Sequence, residues 1–327
     1  MIRPILQEMI IMFKFKEPSI KTKNTIADVA INGASIDYNK SIAEKLKKHT
    51  GHLHSTVTNS GNGSIYLALS AVGENLIVPD QGAWNGFKQI GKLLKKNITL
   101  LETQQGIINL EKLENTENGS TLILTSFAGY TAEQNMKEIS KVCREKDITI
   151  IEDASAGIGD GEKKVGNGKY SDIIIASTGS PKIINAGQGG ILTTDNKDVL
   201  EKTRVQQKIT KATQITAAAI DSELENIEEK LEKTIEACKY LKNSLEDVIH
   251  PGKRGLNVII NDSNPKELSW KLKQDLKINK SGFITRCPNY NRIKEKAVAI
   301  EIKNLDYNCL TKEKLDYIIE TAEKYRN

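Results

Sequence analysis

The sequence predicts an α/β protein: a three-layer sandwich around a mainly parallel sheet, followed by a small C-terminal α/β unit. Short apolar runs alternate with amphipathic helical stretches along the first half of the chain, the pattern of βαβ units covered on both faces. Polar and Gly-rich residues stand just after those runs, where open parallel sheets collect ligand groups. After Asp195 the pattern changes to a long, charged, helical stretch from Val199 to Leu245 with little Gly or Pro. These observations divide the chain into an N-terminal arm (1–33), a large domain (34–235) and a small domain (236–327).

Taken in order, Ser41 to Lys48 predicts a short helix, entered after Asp37 and Asn39, with Ile42 and Leu46 as its apolar pair. His52 to Thr58 alternates like a strand and runs into Asn59-Ser60-Gly61-Asn62-Gly63-Ser64, after which Ile65, Leu67, Ala68, Leu69 and Val72 space as a helix. Strands follow at Leu76–Pro79, Ile98–Leu101, Leu122–Thr125 and Ile148–Ile151, the last ending at Glu152-Asp153. Helices are predicted at Trp84–Leu94 and Glu133–Lys146. Two further apolar runs, Ile173–Ala176 and Ile191-Leu192, bracket the segment that carries Lys182. In the helical stretch, Ile227, Leu231, Ile235 and Cys238 form a buried stripe. The small unit reads as strands at Leu256–Ile260, Gly282–Thr285 and Ala297–Ile302, with helices at Pro265–Leu276 and Thr311–Tyr325.

Composition narrows the function classes. With 327 residues, 38% hydrophobic and 27% charged, the chain has ample material for a core and is not a disordered polymer. Its net charge of +5 is spread over both signs, without the localised basic and aromatic footprint of a dedicated nucleic-acid binder. Cys143, Cys238, Cys287 and Cys309 form no CxxC pair and read as reduced thiols of a cytoplasmic protein. No apolar run approaches the ~20 residues of a membrane span. Met1 to Phe15 is apolar but broken by Glu8, and is expected to be an arm that packs on a partner. No metal site is expected: His49, His52 and His54 cluster, but no nearby Asp, Glu or Cys completes a ligand set, so they read as surface polar residues.

The chemistry-bearing segment is Ser177-Thr178-Gly179-Ser180-Pro181-Lys182, followed by Gly187-Gln188-Gly189-Gly190. An amine in so uncharged a turn is expected to be desolvated, which lowers its pKa and favours Schiff-base chemistry. Asn59 to Ser64, at a strand-to-helix junction, offers backbone N–H groups to a phosphate, although such turns are also simply tight turns. Asp153 ends an apolar strand, where a carboxylate calls for a cationic partner or caps a turn. Trp84 could cover a flat ring or fill a core. A phosphate cradle, an aromatic face, an acid and a lysine are together the contacts that pyridoxal phosphate requires.

The order and spacing of these residues resemble the fold-type I pyridoxal phosphate enzymes, and within them the DegT/DnrJ/EryC1/StrS sugar aminotransferases, from about Ala34 to Leu231. The resemblance implies an aspartate aminotransferase-like fold and a homodimer with small-molecule amino donor and acceptor. It implies that Ser60, Gly61, Asn62 and Gly63 hold the phosphate with Ser177, that Trp84 stacks on the ring and that Asp153 meets the ring nitrogen. Lys182 would carry the cofactor as a Schiff base and shuttle the proton, and Ser126, where the family often has His, would line the pocket. Departures stand at Ala156, where the family has Gln or His, at Gly179, where it has His, and at Ile209, where an Asn-x-Arg stretch would begin and Lys211 falls instead of the Arg.

Two residues outside the motifs are further candidates. Arg286 is a carboxylate clamp or a surface ion-pair partner, and Tyr130 a second acid or a core residue. The expected activity is transamination of a sugar or small ketone. The alternatives are a pyridoxal phosphate lyase or β-replacement enzyme, which could take an aminoacyl-tRNA, and a non-catalytic protein of the same fold.

Overall fold

The computed structural model describes residues 12–326. Its main sheet has seven strands: β1 His54–Thr58, β2 Asn75–Pro79, β3 Asn97–Leu101, β4 Thr121–Thr125, β5 Thr149–Asp153, β6 Ile173–Ser177 and β7 Gly190–Thr194. Their order is β1-β7-β6-β5-β4-β2-β3. The pairs from β6 through β5, β4 and β2 to β3 are parallel, and β7 alone runs against its neighbours β1 and β6. The register sets Thr125 and Ile175 on either side of Asp153, so one corner of the sheet gathers three strand ends.

The strands read as unbroken apolar runs because both faces are covered. Leu122, Leu124, Ile150, Ile174 and Ala176 enter one core, while the intervening Ile123, Ile151, Ile173 and Ile175 enter the other. Helices α1 Ile20–Asn32, α2 Tyr38–Thr50, α5 Met136–Glu145 and α6 Gln214–Glu223 put buried residues into the first core. Helices α3 Gly61–Ala71 and α4 Gly86–Leu93 contribute to the second. The expected three layers follow. Helix α2 begins earlier than predicted because Asp37 caps it, its carboxylate accepting from the Lys40 N–H, and it ends on Gly51 at φ 84°.

The helical stretch after Asp195 is not continuous. It breaks into Lys197–Lys202, Arg204–Ile209, α6 and α7 Ile227–Ser244, because Thr213 caps α6 and Asn226 turns left-handed at φ 58°. Along α7, Ile227, Leu231 and Ile235 belong to the large core, whereas Ala237, Cys238 and Leu241 belong to a separate one. That second core packs α8 Pro265–Asp275 and α9 Lys312–Arg326 on an antiparallel sheet, β8 Val258–Asn261, β9 Ile284–Cys287 and β10 Ala297–Ile300, in the order β8-β10-β9.

Two expectations change. Of the arm, residues 1–11 lie outside the described residues, but Phe13 is fully buried against Phe283 and pairs with Ile278 of its own chain. Residues 20–32 form α1, which packs on α6 and buries only Thr22 and Val29, too few apolar positions to announce a helix. His52 is buried, not a surface residue: its ring nitrogens meet Thr193 Oγ1 at 2.8 Å and the Ser171 carbonyl at 3.0 Å. Among the described residues no helix is long and apolar enough to cross a membrane, and no group of His, Cys, Asp and Glu is arranged to hold a metal ion.

Candidate active site

A cleft of about 280 Å³ opens where β5 and β6 end and α3 begins. Ser60, Gly61 and Asn62 form one wall. Ser60 caps α3, its Oγ accepting from the Gly63 N–H at 3.0 Å, which leaves the N–H groups of Gly61 and Asn62 at the positive end of the helix. Gly61 stands so close to β6 that a Cβ there would lie 2.5 Å from Ser177 Cβ. Only glycine permits that approach, and it brings the helix terminus beside the Ser177 hydroxyl. Trp84 is 43% exposed at the cleft and donates Nε1–H to Asn62 Oδ1 at 3.1 Å. It precedes α4 instead of opening it, its indole lying over Gly86 where a Cβ would be 2.2 Å from Nε1.

The opposite wall carries the titratable groups. Asp153 Oδ1 accepts from the Ser155 N–H at 3.0 Å and from its hydroxyl, and Ser155 Oγ accepts from the Ser177 N–H at 2.7 Å. One Asx-type turn therefore ties the ends of β5 and β6 together. Burial pushes the Asp153 carboxyl above its ordinary range, while the Lys182 ammonium and the Ser155 donors pull it back. Lys182 sits on a tight turn held by Lys182 N–H to Gly179 O and Ala186 N–H to Thr178 O, both 2.9 Å. Its Nζ donates to Tyr130 Oη at 2.6 Å. The expectation of a depressed lysine is overturned. Burial does lower it, but the facing Tyr130 and Asp153 outweigh burial, and the amine is held above its usual value.

Tyr130 is the residue whose weight the sequence understated. It lies at φ 65° in a loop between Phe127-Ala128 and Ala132-Glu133, and lines the cleft. Around its ring stand Lys182 Nζ at 5.0 Å, Arg292 Cζ at 4.9 Å and Lys303 Nζ at 4.6 Å. Arg292 and Lys303 come from the C-terminal unit and share Glu301, at 2.7 Å and 3.4 Å. No motif marks these three, and only tertiary packing unites them with Lys182. Ser155 had a local signal, the Asp-x-Ser spacing of an Asx turn.

Other candidates fall elsewhere. Gly63 does not line the cleft, since its N–H is spent on the cap. Ser126 is fully buried behind the cleft and donates to Glu152 Oε1 at 2.6 Å; Glu152 also takes the Gly166 N–H and the Ser171 hydroxyl. The pleat explains this, because successive residues Glu152 and Asp153 face opposite sides of the sheet. Arg286 is exposed beside Trp270, away from the cleft, and the arginine near it is Arg292. Ala156 sits in the large core, Gly179 follows Ser177 on the lysine turn, and Ile209 is 66% exposed. Lys211, also exposed, bridges Thr58. The assembled cleft offers an anion two free N–H groups and a hydroxyl, and offers a carbonyl carbon one primary amine.

A model of the DegT/DnrJ/EryC1/StrS aminotransferase family matches residues 22–272, and one of the MJ1341 family C-terminal domain matches residues 228–323. The uncharacterized protein MJ1066 of Methanocaldococcus jannaschii is 29% identical over 169 residues, covering 50% of this chain and 43% of that protein. The UDP-4-amino-4,6-dideoxy-N-acetyl-beta-L-altrosamine transaminase of Campylobacter jejuni serotype O:2 is 27% identical over 170 residues, 50% of this chain and 45% of that one. The matched segments thus span less than half the length of either relative. Over the whole fold, Helicobacter pylori PseC, an aminotransferase involved in the biosynthesis of pseudoaminic acid, superposes with a TM-score of 0.77 at 15% identity, covering 97% of this chain and 99% of that one. By the match across most of its length, the chain belongs to the DegT/DnrJ/EryC1/StrS aminotransferase family.

Proposed function

We propose that the chain is a pyridoxal phosphate-dependent aminotransferase acting on the carbonyl group of a sugar. The observation that carries this reading is the meeting in one cleft of a lysine amine, an aspartate carboxylate and a helix N-terminus bared by Gly61. The donor set fits the cofactor. The free N–H groups of Gly61 and Asn62 with Ser177 Oγ suit a phosphate dianion, and Trp84 offers a flat apolar face to a ring. Asp153 is positioned by Ser155 to accept from a protonated ring nitrogen.

Bound there, pyridoxal phosphate supplies an aldehyde carbon for amines and an electron-accepting ring. The chain supplies the rest. Lys182 would present its amine to the aldehyde and would take and return a proton as general base. Asp153 would accept from a proton on the ring nitrogen, and Trp84 would exclude water from one face.

The finer organisation is part of the same proposal. Exposed Val205 and Ile209 precede Thr210, whose carbonyl accepts from the Asn59 N–H at the cradle, and a second copy of the chain covering them gives a homodimer. The two cores that divide along α7 correspond to a large cofactor domain and a small domain. The reduced state of the four cysteines supports a cytoplasmic setting.

The test is the absorption spectrum of the purified protein with added cofactor. A visible band that is missing in Lys182→Ala, fades with an amino donor and returns with a keto acceptor supports the reading. Failure of the wild-type protein to take up cofactor sinks it.

A further inference from the structure

We infer that Tyr130 is the proton-exchange partner of Lys182, and that Arg292 and Lys303 of the C-terminal unit set its readiness for that role. This deepens the proposed function and rests on it. The first observation is the contact itself, Lys182 Nζ to Tyr130 Oη at 2.6 Å inside the cleft.

The second observation is how firmly the tyrosine is held. Its left-handed backbone is strained for a non-glycine residue, and such strain persists only where the surroundings over-determine it. They do so here. The Tyr130 carbonyl accepts from the N–H groups of Leu256 and Asn257 at 2.7 and 3.1 Å, and the neighbouring Gly129 N–H donates to Gly82 O at 2.7 Å. A Cβ on Gly129 would lie 2.7 Å from Arg292 O, so the loop tip is wedged against the C-terminal unit.

The third observation is the charge around the ring. Tyr130 faces Lys182, Arg292 and Lys303, and the Asp153 charge also acts on it. Burial works against ionisation of the phenol, yet the cations led by Lys182 and Lys303 prevail and bring it below its ordinary value. Lys182 faces Tyr130, Asp153 and Arg292, and the first two keep its proton on. The pair therefore exchanges one proton. When Tyr130 is a phenolate, the Lys182 ammonium gives its proton to Oη, and an ammonium–phenolate pair becomes a neutral amine and a neutral phenol. The uncharged pair is the one with a nucleophilic lysine. Glu301, shared by Arg292 and Lys303, moderates their effect.

The test uses the cofactor-free chain, so its outcome is separate from cofactor uptake. Lys182 is labelled competitively with acetic anhydride across a pH series and read by mass spectrometry against the same peptide in the unfolded chain. The wild-type labelling midpoint is expected above that of the unfolded chain, and that of Tyr130→Phe below it. At a pH under all three midpoints, Lys182 should then label on the order of tenfold faster in Tyr130→Phe than in wild type. A wild-type midpoint at or below the unfolded one overturns the proposal, and that measurement needs no variant to fold. A Tyr130→Phe protein that labels faster at every pH with an unmoved midpoint also overturns it, because that is only improved access. Tyrosinate absorption, as the difference between wild type and Tyr130→Phe, isolates Tyr130. In Lys303→Met that ionisation should move to higher pH, and an unmoved one refutes the part assigned to the C-terminal unit.

Discussion

Gly61 and Ser177 are so close that the side chain glycine lacks would lie 2.5 Å from the serine Cβ and 2.9 Å from its Cα. The close partner includes backbone of a buried strand, which cannot swing aside as a flexible side chain would. Gly61→Ala must therefore push α3 away from β6, at a cost of about 1–3 kcal/mol by analogy with overpacked cores. The same displacement carries the Gly61 and Asn62 N–H groups away from the Ser177 hydroxyl. We expect Gly61→Ala to fold with a lower melting temperature and to bind pyridoxal phosphate at least about tenfold more weakly, a loss of ~1.4 kcal/mol. Titration of cofactor absorbance beside a thermal melt checks both, and unchanged affinity would remove Gly61 from the cradle.

Asp153→Asn keeps size and the Ser155 hydrogen bonds possible while removing the charge. With the carboxylate gone, nothing on this wall holds a proton on the ring nitrogen. Turnover should fall by a factor of roughly 100 or more, the scale of a lost acid–base group, in protein that still loads cofactor. The same change removes one of the two charges that keep Lys182 protonated. Its labelling midpoint should drop, but by less than in Tyr130→Phe, because Tyr130 is the larger influence. A single variant read by turnover and by labelling separates the two roles of the carboxylate.

How much of this was legible depended on whether the signal was local. Residues 173–177 announce a buried strand by composition alone, and Lys182 and Asp153 stand out because a charge beside such a strand needs a reason. Helix α1 gave little sign, since its contact with α6 rests on Thr22 and Val29 and on polar bonds from Thr22 to Ser222 and Glu223. Ser126 looked like a cleft residue from its place after β4, but the pleat turned its hydroxyl to Glu152. For Lys182 the sequence points to the wrong sign. Desolvation is a property of the local turn and is visible in it, whereas Tyr130, 52 positions away, enters only once the chain has folded.

Glu301 gives the molecule an acid-sensitive joint. Its carboxylate is fully buried, yet Arg292 and Lys303 overcome burial and hold its pKa down to about 2, against an ordinary 4.5. A carboxyl depressed by folding stabilises the native state fully above its unfolded pKa, and that benefit fades as pH falls from about 4.5 toward 2. The shift corresponds to about 3 kcal/mol. Glu301→Gln should be less stable by that order at neutral pH, with the gap closing through this acid window. Urea unfolding at several pH values measures it, and a gap independent of pH would mean that the loss is packing and not charge.

Lys16 adds a second window in which stability rises with pH, here because a penalty is relieved. It is 1% exposed, its Nζ has no hydrogen-bond partner among the described residues, and it lies 4.3 Å from the centre of the Tyr307 ring, whose hydroxyl is likewise unpartnered. Burial first, then Lys303 and Lys230, lowers its pKa from 10.5 to about 7. Between those values the unfolded chain binds a proton that the folded chain does not, so stability rises with pH across this window. At or below pH ~7 the native state carries a buried, unpaired ammonium, and the linked penalty is on the order of 5 kcal/mol. Lys16→Met preserves the packed aliphatic stem and removes the charge. It should stabilise the protein by a few kcal/mol near pH 6, and its advantage should shrink as pH climbs toward 10. Paired urea titrations at pH 6 and pH 9 decide it: a variant less stable than wild type at pH 6 would show that the ammonium has a partner worth more than its burial costs.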